Sequence, residues 1–233
     1  MNELSQAFST ALTLLVGLDS GLLEIVGLSL RVSGTALLLA SVVGLPIGAA
    51  LAVYRFRGRG AAVVALNALM GLPPVVVGLL VYLVLSREGP LASLALLFTP
   101  SAMVIAQFVL ITPIVAALSR QVVADLWSEY EEQLRSLGAT PGRALPTLLW
   151  DGRHSLLTTV LAGFGRAVAE VGAVIIVGGN IAHVTRVMTT AIQLETRKGD
   201  LALALALGIV LLFLSLLINA GVSLLTRATE RRA

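Results

Sequence analysis

Apolar residues run along this chain in five long blocks, roughly 27–54, 61–85, 99–118, 156–177 and 201–225. Each is close to the length that a helix needs to cross a bilayer core, about 20 residues. Within the blocks no polar stripe recurs along one side, as it would in a helix facing water. The pattern predicts an all-α membrane protein with five core transmembrane helices. Ahead of them, residues 7–18 are apolar but too short to span, and read as an interfacial or packed-on helix. The expected organisation is a peripheral N-terminal segment over 1–27, a transmembrane domain over 28–224 that includes a polar connection at 119–155, and a short tail at 225–233.

Prolines and glycines interrupt the blocks. Pro46, Pro73, Pro74 and Pro113 each remove a backbone donor that lipid cannot replace, so neighbouring groups must compensate. Gly34, Gly44, Gly48, Gly71 and Gly78, with Gly163, Gly165 and Gly172 later, let backbones approach closely. Composition agrees with the pattern: 57% of residues are hydrophobic and 12% charged, against about a quarter charged in a soluble domain. The net charge of +3 fits loop arginines better than a nucleic-acid surface. Arg55, Arg57 and Arg59 follow the first block, Arg120, Arg135, Arg143 and Arg153 lie between the third and fourth, and Arg227, Arg231 and Arg232 end the chain. Five spans put all three groups on one side, expected to be cytoplasmic together with the C-terminus. The N-terminal segment has Glu3 and no basic run, unlike a signal peptide.

Several chemistries are missing. The chain has no cysteine, which removes thiolate metal sites and cysteine nucleophiles. Its one lysine is Lys198, so no phosphate-binding loop ending in Gly-Lys-Ser/Thr exists. His154 and His183 are too few and too far apart for a metal cluster. Asp125, His154 and a serine could be joined on paper into a triad, as in any chain holding those residues. No catalytic residue, metal or cofactor is expected, and any energy the protein uses does not come from a nucleotide site of its own.

The connection 119–155 is where a pattern emerges. Asp125, Glu129, Glu131 and Glu132 precede Arg135, the charge order favoured by a helix dipole. Gly138 supplies a stop, and Thr140-Pro141 restarts a helix as cap and first-turn proline. By itself this is a charged helical hairpin. The order Glu132-Gln133-Leu134-Arg135-Ser136-Leu137-Gly138, continued by Ala139-Thr140-Pro141, resembles the EAA-x-x-x-G loop of permease subunits in type I ATP-binding-cassette importers. The resemblance covers about 28–224 and implies that family's five-helix fold. It also implies two copies of a separate ATPase subunit, gripping Glu132, Arg135, Leu137, Gly138, Ala139, Thr140, Pro141 and Arg143. The stretches from Ala162 to Ala173 and from Gly178 to Ile192 resemble the tungstate-type subgroup, and molybdate and sulfate permeases share part of that pattern. Most of the wider family has Leu-Pro a dozen residues after the glycine. Here Trp150-Asp151 stands there, a departure that tungstate-type members share.

Inside the fourth block, Arg166 and Glu170 stand four apart on one helix face, as charges buried in lipid do when they pair. They read first as an ion pair fixing helix packing, and then, with Gly163 and Gly172, as a gate or part of the pathway. The segment 180–200 offers Thr185, Arg186, Thr189, Thr190, Arg197 and Lys198, expected first to contact the rim of an extracytoplasmic solute-binding protein and second to guide an oxyanion in passing. A conduit must also release its cargo, so tight oxyanion binding by this chain alone is not expected. One five-span chain makes half a pathway, which implies a second copy of itself. The remaining classes are a secondary transporter or channel working alone, which lacks the internal repeat it needs, and a scaffold, which leaves the hairpin unexplained.

Overall fold

The computed structural model describes residues 3–230, with side chains over 6–224. Arg231 and Arg232 of the expected tail, and the side chain of Arg227, lie outside the described residues. Among the described residues all regular structure is helical. The helices are α1 (Glu3–Val16), α2 (Ser20–Val53), α3 (Arg59–Met70), α4 (Pro74–Leu85), α5 (Pro100–Ser136), α6 (Pro141–Asp151), α7 (Arg153–Val168), α8 (Gly172–Gly178), α9 (Met188–Lys198) and α10 (Leu201–Glu230). Three of them, α2, α5 and α10, are long and apolar enough to cross a membrane, and two bent pairs bring the spans to five.

The ends of these helices follow from local chemistry. Asp19 accepts a hydrogen bond from the Leu22 amide at 3.0 Å and so caps α2. That helix begins before residue 27, so the expected boundary between peripheral segment and membrane domain falls inside it. The second apolar block is not one straight helix: α3 and α4 meet at 98°. Pro73 and Pro74 cause the break, since each lacks an N–H and a residue before proline is driven out of the α region. The third block does not stop near residue 118. Helix α5 runs on through the charged segment to Ser136, 37 residues in all, about 55 Å at 1.5 Å per residue. Loss of hydrophobicity ended the apolar block, but the polar residues that follow are good helix formers and nothing breaks the ladder. The fourth block bends by 57° between α7 and α8, with no proline at the break.

The chain divides into two compact units. One combines the chain up to Ala36 with Pro73–Gln107 and Gly165–Leu217; the other combines Leu37–Leu72, Phe108–Phe164 and the chain from Ile218. In the first, the second halves of both bent spans, α4 and α8, pack together. A Cβ at Gly78 of α4 would stand 2.8 Å from the Ala173 Cα of α8, so only glycine permits that approach. In the second, α2 and α5 touch along Gly44 and Gly48, where a Cβ on Gly48 would meet the Ala116 carbonyl oxygen at 2.2 Å. The Ser119 hydroxyl of α5 donates to the Leu45 carbonyl at 3.1 Å, beside Pro46. A cluster of Ala49, Ala52, Val53, Val123, Trp127, Ala144 and Leu148 holds α6 against α2 and α5. Leu38, Val42, Leu80, Leu83, Leu212 and Leu216 are each more than half exposed. That is the ordinary state of a lipid-facing side chain.

Candidate functional site: a polar elbow and a held helix break

The elbow belongs to the second unit. Arg135 pairs with Glu131 at 2.6 Å, one helical turn back, and Arg55 approaches the same carboxylate at 3.5 Å. The Gly138 amide donates to the Arg135 carbonyl and the Ala139 amide to that of Leu134, both at 2.9 Å. Gly138 has φ +75 with open space where a Cβ would sit. It turns the chain because it alone adopts this conformation cheaply. Thr140 is extended and its carbonyl accepts from the Arg143 and Ala144 amides, so it starts α6 as expected. Its hydroxyl makes no cap bond.

Helix α6 buries Ala144 and Leu148 and turns its other side outward. Glu132, Arg135, Leu137, Gly138, Thr140 and Arg143 are exposed, while Ala139 and Pro141 are half-buried. Leu137 and Trp150 are 83% and 72% exposed and flank a cavity of about 250 Å³ that Tyr130, Gln133 and Asp151 also line. The Arg153 guanidinium lies 4.9 Å from the Trp150 ring centre. Six of the eight expected coupling residues are thus exposed along the elbow. Sequence reasoning missed Arg55 as part of it, because Arg55 comes from the end of a different helix. It placed Glu131 in the charge order of the helix, but not as the carboxylate that pairs with Arg135 and Arg55.

The held break belongs to the first unit. Between α7 and α8 the regular helical ladder stops over 169–171; the Ala169 and Glu170 amides still reach the Gly165 and Ala167 carbonyls, and side chains tie down further groups around the break. Gln107 Nε2 of α5 donates to the Ala167 carbonyl at 3.1 Å, and Thr189 Oγ1 of α9 donates to the Glu170 carbonyl at 2.8 Å. The Glu170 carboxylate accepts from the Ala173 amide at 3.2 Å and pairs with Arg166. Glu170 is buried, with 3% of its side chain exposed; Arg166 is 39% exposed. Gly172 lies against Val75. Arg166, Glu170 and Gly172 therefore form one cluster. Gly163 stands apart in the second unit, packed against Leu37, Ile111 and Val115.

The segment 180–200 uses its hydroxyls inward. Thr185, Thr189 and Thr190 are buried. Thr185 bonds the Gly178 carbonyl and accepts from the Ile181 amide, while Thr190 bonds both ends of Val187. Buried Glu195 neutralises Arg186 at 3.7 Å and Lys198 at 3.1 Å. Of the six residues assigned here, Arg197 and Lys198 are the exposed ones. His183 pairs with Glu24 of α2 at 2.8 Å. Among the described residues no group of three carboxylates or imidazoles could hold a metal ion.

A family model described as binding-protein-dependent transport system inner membrane component matches residues 44–232. The chain belongs to this family. It is thus the transmembrane permease subunit of an ATP-binding-cassette importer, and a multi-pass membrane protein. The permease is 40% identical over 220 residues to a tungstate uptake system permease protein of Peptoclostridium acidaminophilum, covering 94% of this chain and 96% of that one. It is 40% identical to a probable anion transporter permease of Haloferax volcanii, over 85% and 88% of the two chains. A tungstate uptake permease of Campylobacter jejuni is 34% identical over 94% and 92%.

Proposed function

We propose that this permease forms the pathway for a tetrahedral oxyanion, tungstate. An extracytoplasmic binding protein delivers the anion, and a separate ATPase, seated on the elbow 131–151, drives its import. The observation that carries the reading is the elbow. A glycine hinge, an exposed leucine and tryptophan, and a helix anchored by only two buried residues suit a part that is gripped from outside. Similarity to tungstate permeases along nearly the whole chain supports the choice of anion. Two permease copies with two ATPases complete the assembly, since one chain encloses half a pathway. The elbow and C-terminus then face the cytoplasm, by the arginine distribution, and α1 lies at the opposite interface. Arg166–Glu170 and the side chains that hold the break fix the conformation of the fourth span, while Arg197 and Lys198 are left to meet the binding protein.

The test is reconstitution of permease, ATPase and binding protein in liposomes, with tungstate uptake measured against competing molybdate and sulfate. Uptake that needs ATP and all three components is expected, with tungstate preferred. Preference for molybdate or sulfate would reassign the cargo, and uptake by the permease alone would remove the ATPase from the mechanism. Charge reversal at Arg135 should weaken co-purification with the ATPase.

A further inference from the structure

Three charged residues stand inside the five apolar blocks: Arg31, Arg166 and Glu170. A charge inside such a block faces protein, a water-filled cavity or, near a helix end, the headgroups, and normally has a partner; Arg31 is exposed. Arg166 and Glu170 have each other. Among the described residues no carboxylate lies within ion-pair distance of Arg31, whereas Arg186 and Lys198 of the same unit are neutralised by Glu195.

Arg31 lines a cavity of about 450 Å³ in the first unit. Thr35 and Ser101 supply its other polar side chains, and Val32, Val104 and Ile105 are among its apolar walls. No acidic residue lines it. The Thr35 hydroxyl is spent on the Arg31 carbonyl at 2.7 Å, which leaves the guanidinium and the Ser101 hydroxyl as donors. A net positive cavity with two kinds of donor selects an anion with several acceptor oxygens. The volume is that of roughly fifteen water molecules at about 30 Å³ each. An anion would enter still partly hydrated, be held loosely and be free to leave, as a conduit requires.

We propose that this cavity is a weak, exchangeable site for a tetrahedral oxyanion, with Arg31 as its charge and Ser101 as a hydroxyl donor. The site rests on the reading of the protein as an oxyanion permease and places one stop of the route at Arg31. Two sources share this chemistry. One is the transported dianion; the other is a phospholipid phosphate. About 33 Å of α2 separates Arg31 from Val53, close to the thickness of a hydrocarbon core, which would set Arg31 beside the headgroups when Val53 lies at the opposite interface.

The experiment uses the complete transporter in liposomes, with Arg31→Gln and Arg31→Lys beside the wild type. Tungstate moved per ATP hydrolysed is expected to fall about fivefold to tenfold in Arg31→Gln, with ATPase stimulation by loaded binding protein unchanged, and to return in Arg31→Lys. Millimolar inorganic phosphate outside the liposomes should slow the wild type and leave Arg31→Gln unaffected. A merely structural role would lower ATPase stimulation and transport together, would not respond to phosphate, and would overturn the proposal. Native mass spectrometry separates the sources: a phospholipid retained by wild type and Arg31→Lys, but lost from Arg31→Gln with transport unchanged, assigns the site to a headgroup. Unchanged transport with unchanged lipid occupancy overturns it. Should the wild type carry another dianion, the comparison is repeated with that cargo, so an error in substrate does not touch the site. Transport without ATPase would defeat the proposed mechanism, while the Arg31 comparison would still report on the cavity.

Discussion

Replacing Glu170 by glutamine removes one charge from the held break and little else. In the native protein one carboxylate oxygen takes the Ala173 amide at 3.2 Å and the other pairs with Arg166. The amide oxygen of glutamine can keep the first bond. Its NH₂ group then faces the Arg166 guanidinium, donor against donor. Breaking a fully buried pair costs about 3–5 kcal/mol. Here the guanidinium is 39% exposed and recovers part of its hydration, so about 1.5–3 kcal/mol is expected, nearer the value of one charge-assisted hydrogen bond. At a few degrees per kcal/mol for a chain of this size, the apparent melting temperature in detergent should fall by about 4–8 °C. Transport in the reconstituted system should fall as well, while docking of the binding protein, measured by pull-down, should not. Adding Arg166→Gln should return part of the stability, because the unpaired charge is gone. A Glu170→Gln protein that melts and transports like wild type would refute the reasoning, and so would a double variant showing the plain sum of two single losses.

Three further outcomes test other parts of the fold. Gly48→Val should give little folded protein by size-exclusion chromatography, since the Cβ alone would stand 2.2 Å from the Ala116 carbonyl oxygen and close helix contacts cannot yield that far. Gly138→Ala meets no neighbour and should cost only about 1–2 kcal/mol for a left-handed residue; folding survives, and ATP-driven uptake falls because the elbow shifts. Thr189→Val should lower the melting temperature by about 2–4 °C, for one lost hydrogen bond worth about 1 kcal/mol, and Thr189→Ser should restore it.

Which features were legible in the sequence depends on how far away their causes lie. The five blocks are legible because lipid demands long apolar runs, and Gly138 is legible because a stop between two helical patterns calls for a left-handed residue; its φ is +75. Pro73-Pro74 marks a break openly, yet the surrounding run of apolar residues reads as one span. The break at 169–171 carries no local mark: it is held by Gln107, 60 positions earlier, and by Thr189, 19 later. Helix over the charged residues 125–137 is legible from their order, but its unbroken join to the third block was hidden because hydrophobicity and helicity end at different places. Thr185, Thr189 and Thr190 read as hydroxyls offered outward, but the Gly178, Glu170 and Val187 carbonyls sit where helices break or begin and need donors, and the hydroxyls are spent there.

The gap between α7 and α8 is closed by side chains from α5 and α9 and by its own glutamate, three contributors with no common helix. Each serves a different group: the Ala167 carbonyl, the Glu170 carbonyl and the Ala173 amide. Mutational tolerance should therefore be lowest at a place holding no catalytic residue, and random variants that survive selection for uptake should change Gln107, Glu170 and Thr189 rarely, while the lipid-facing leucines of α10 exchange freely for other greasy residues.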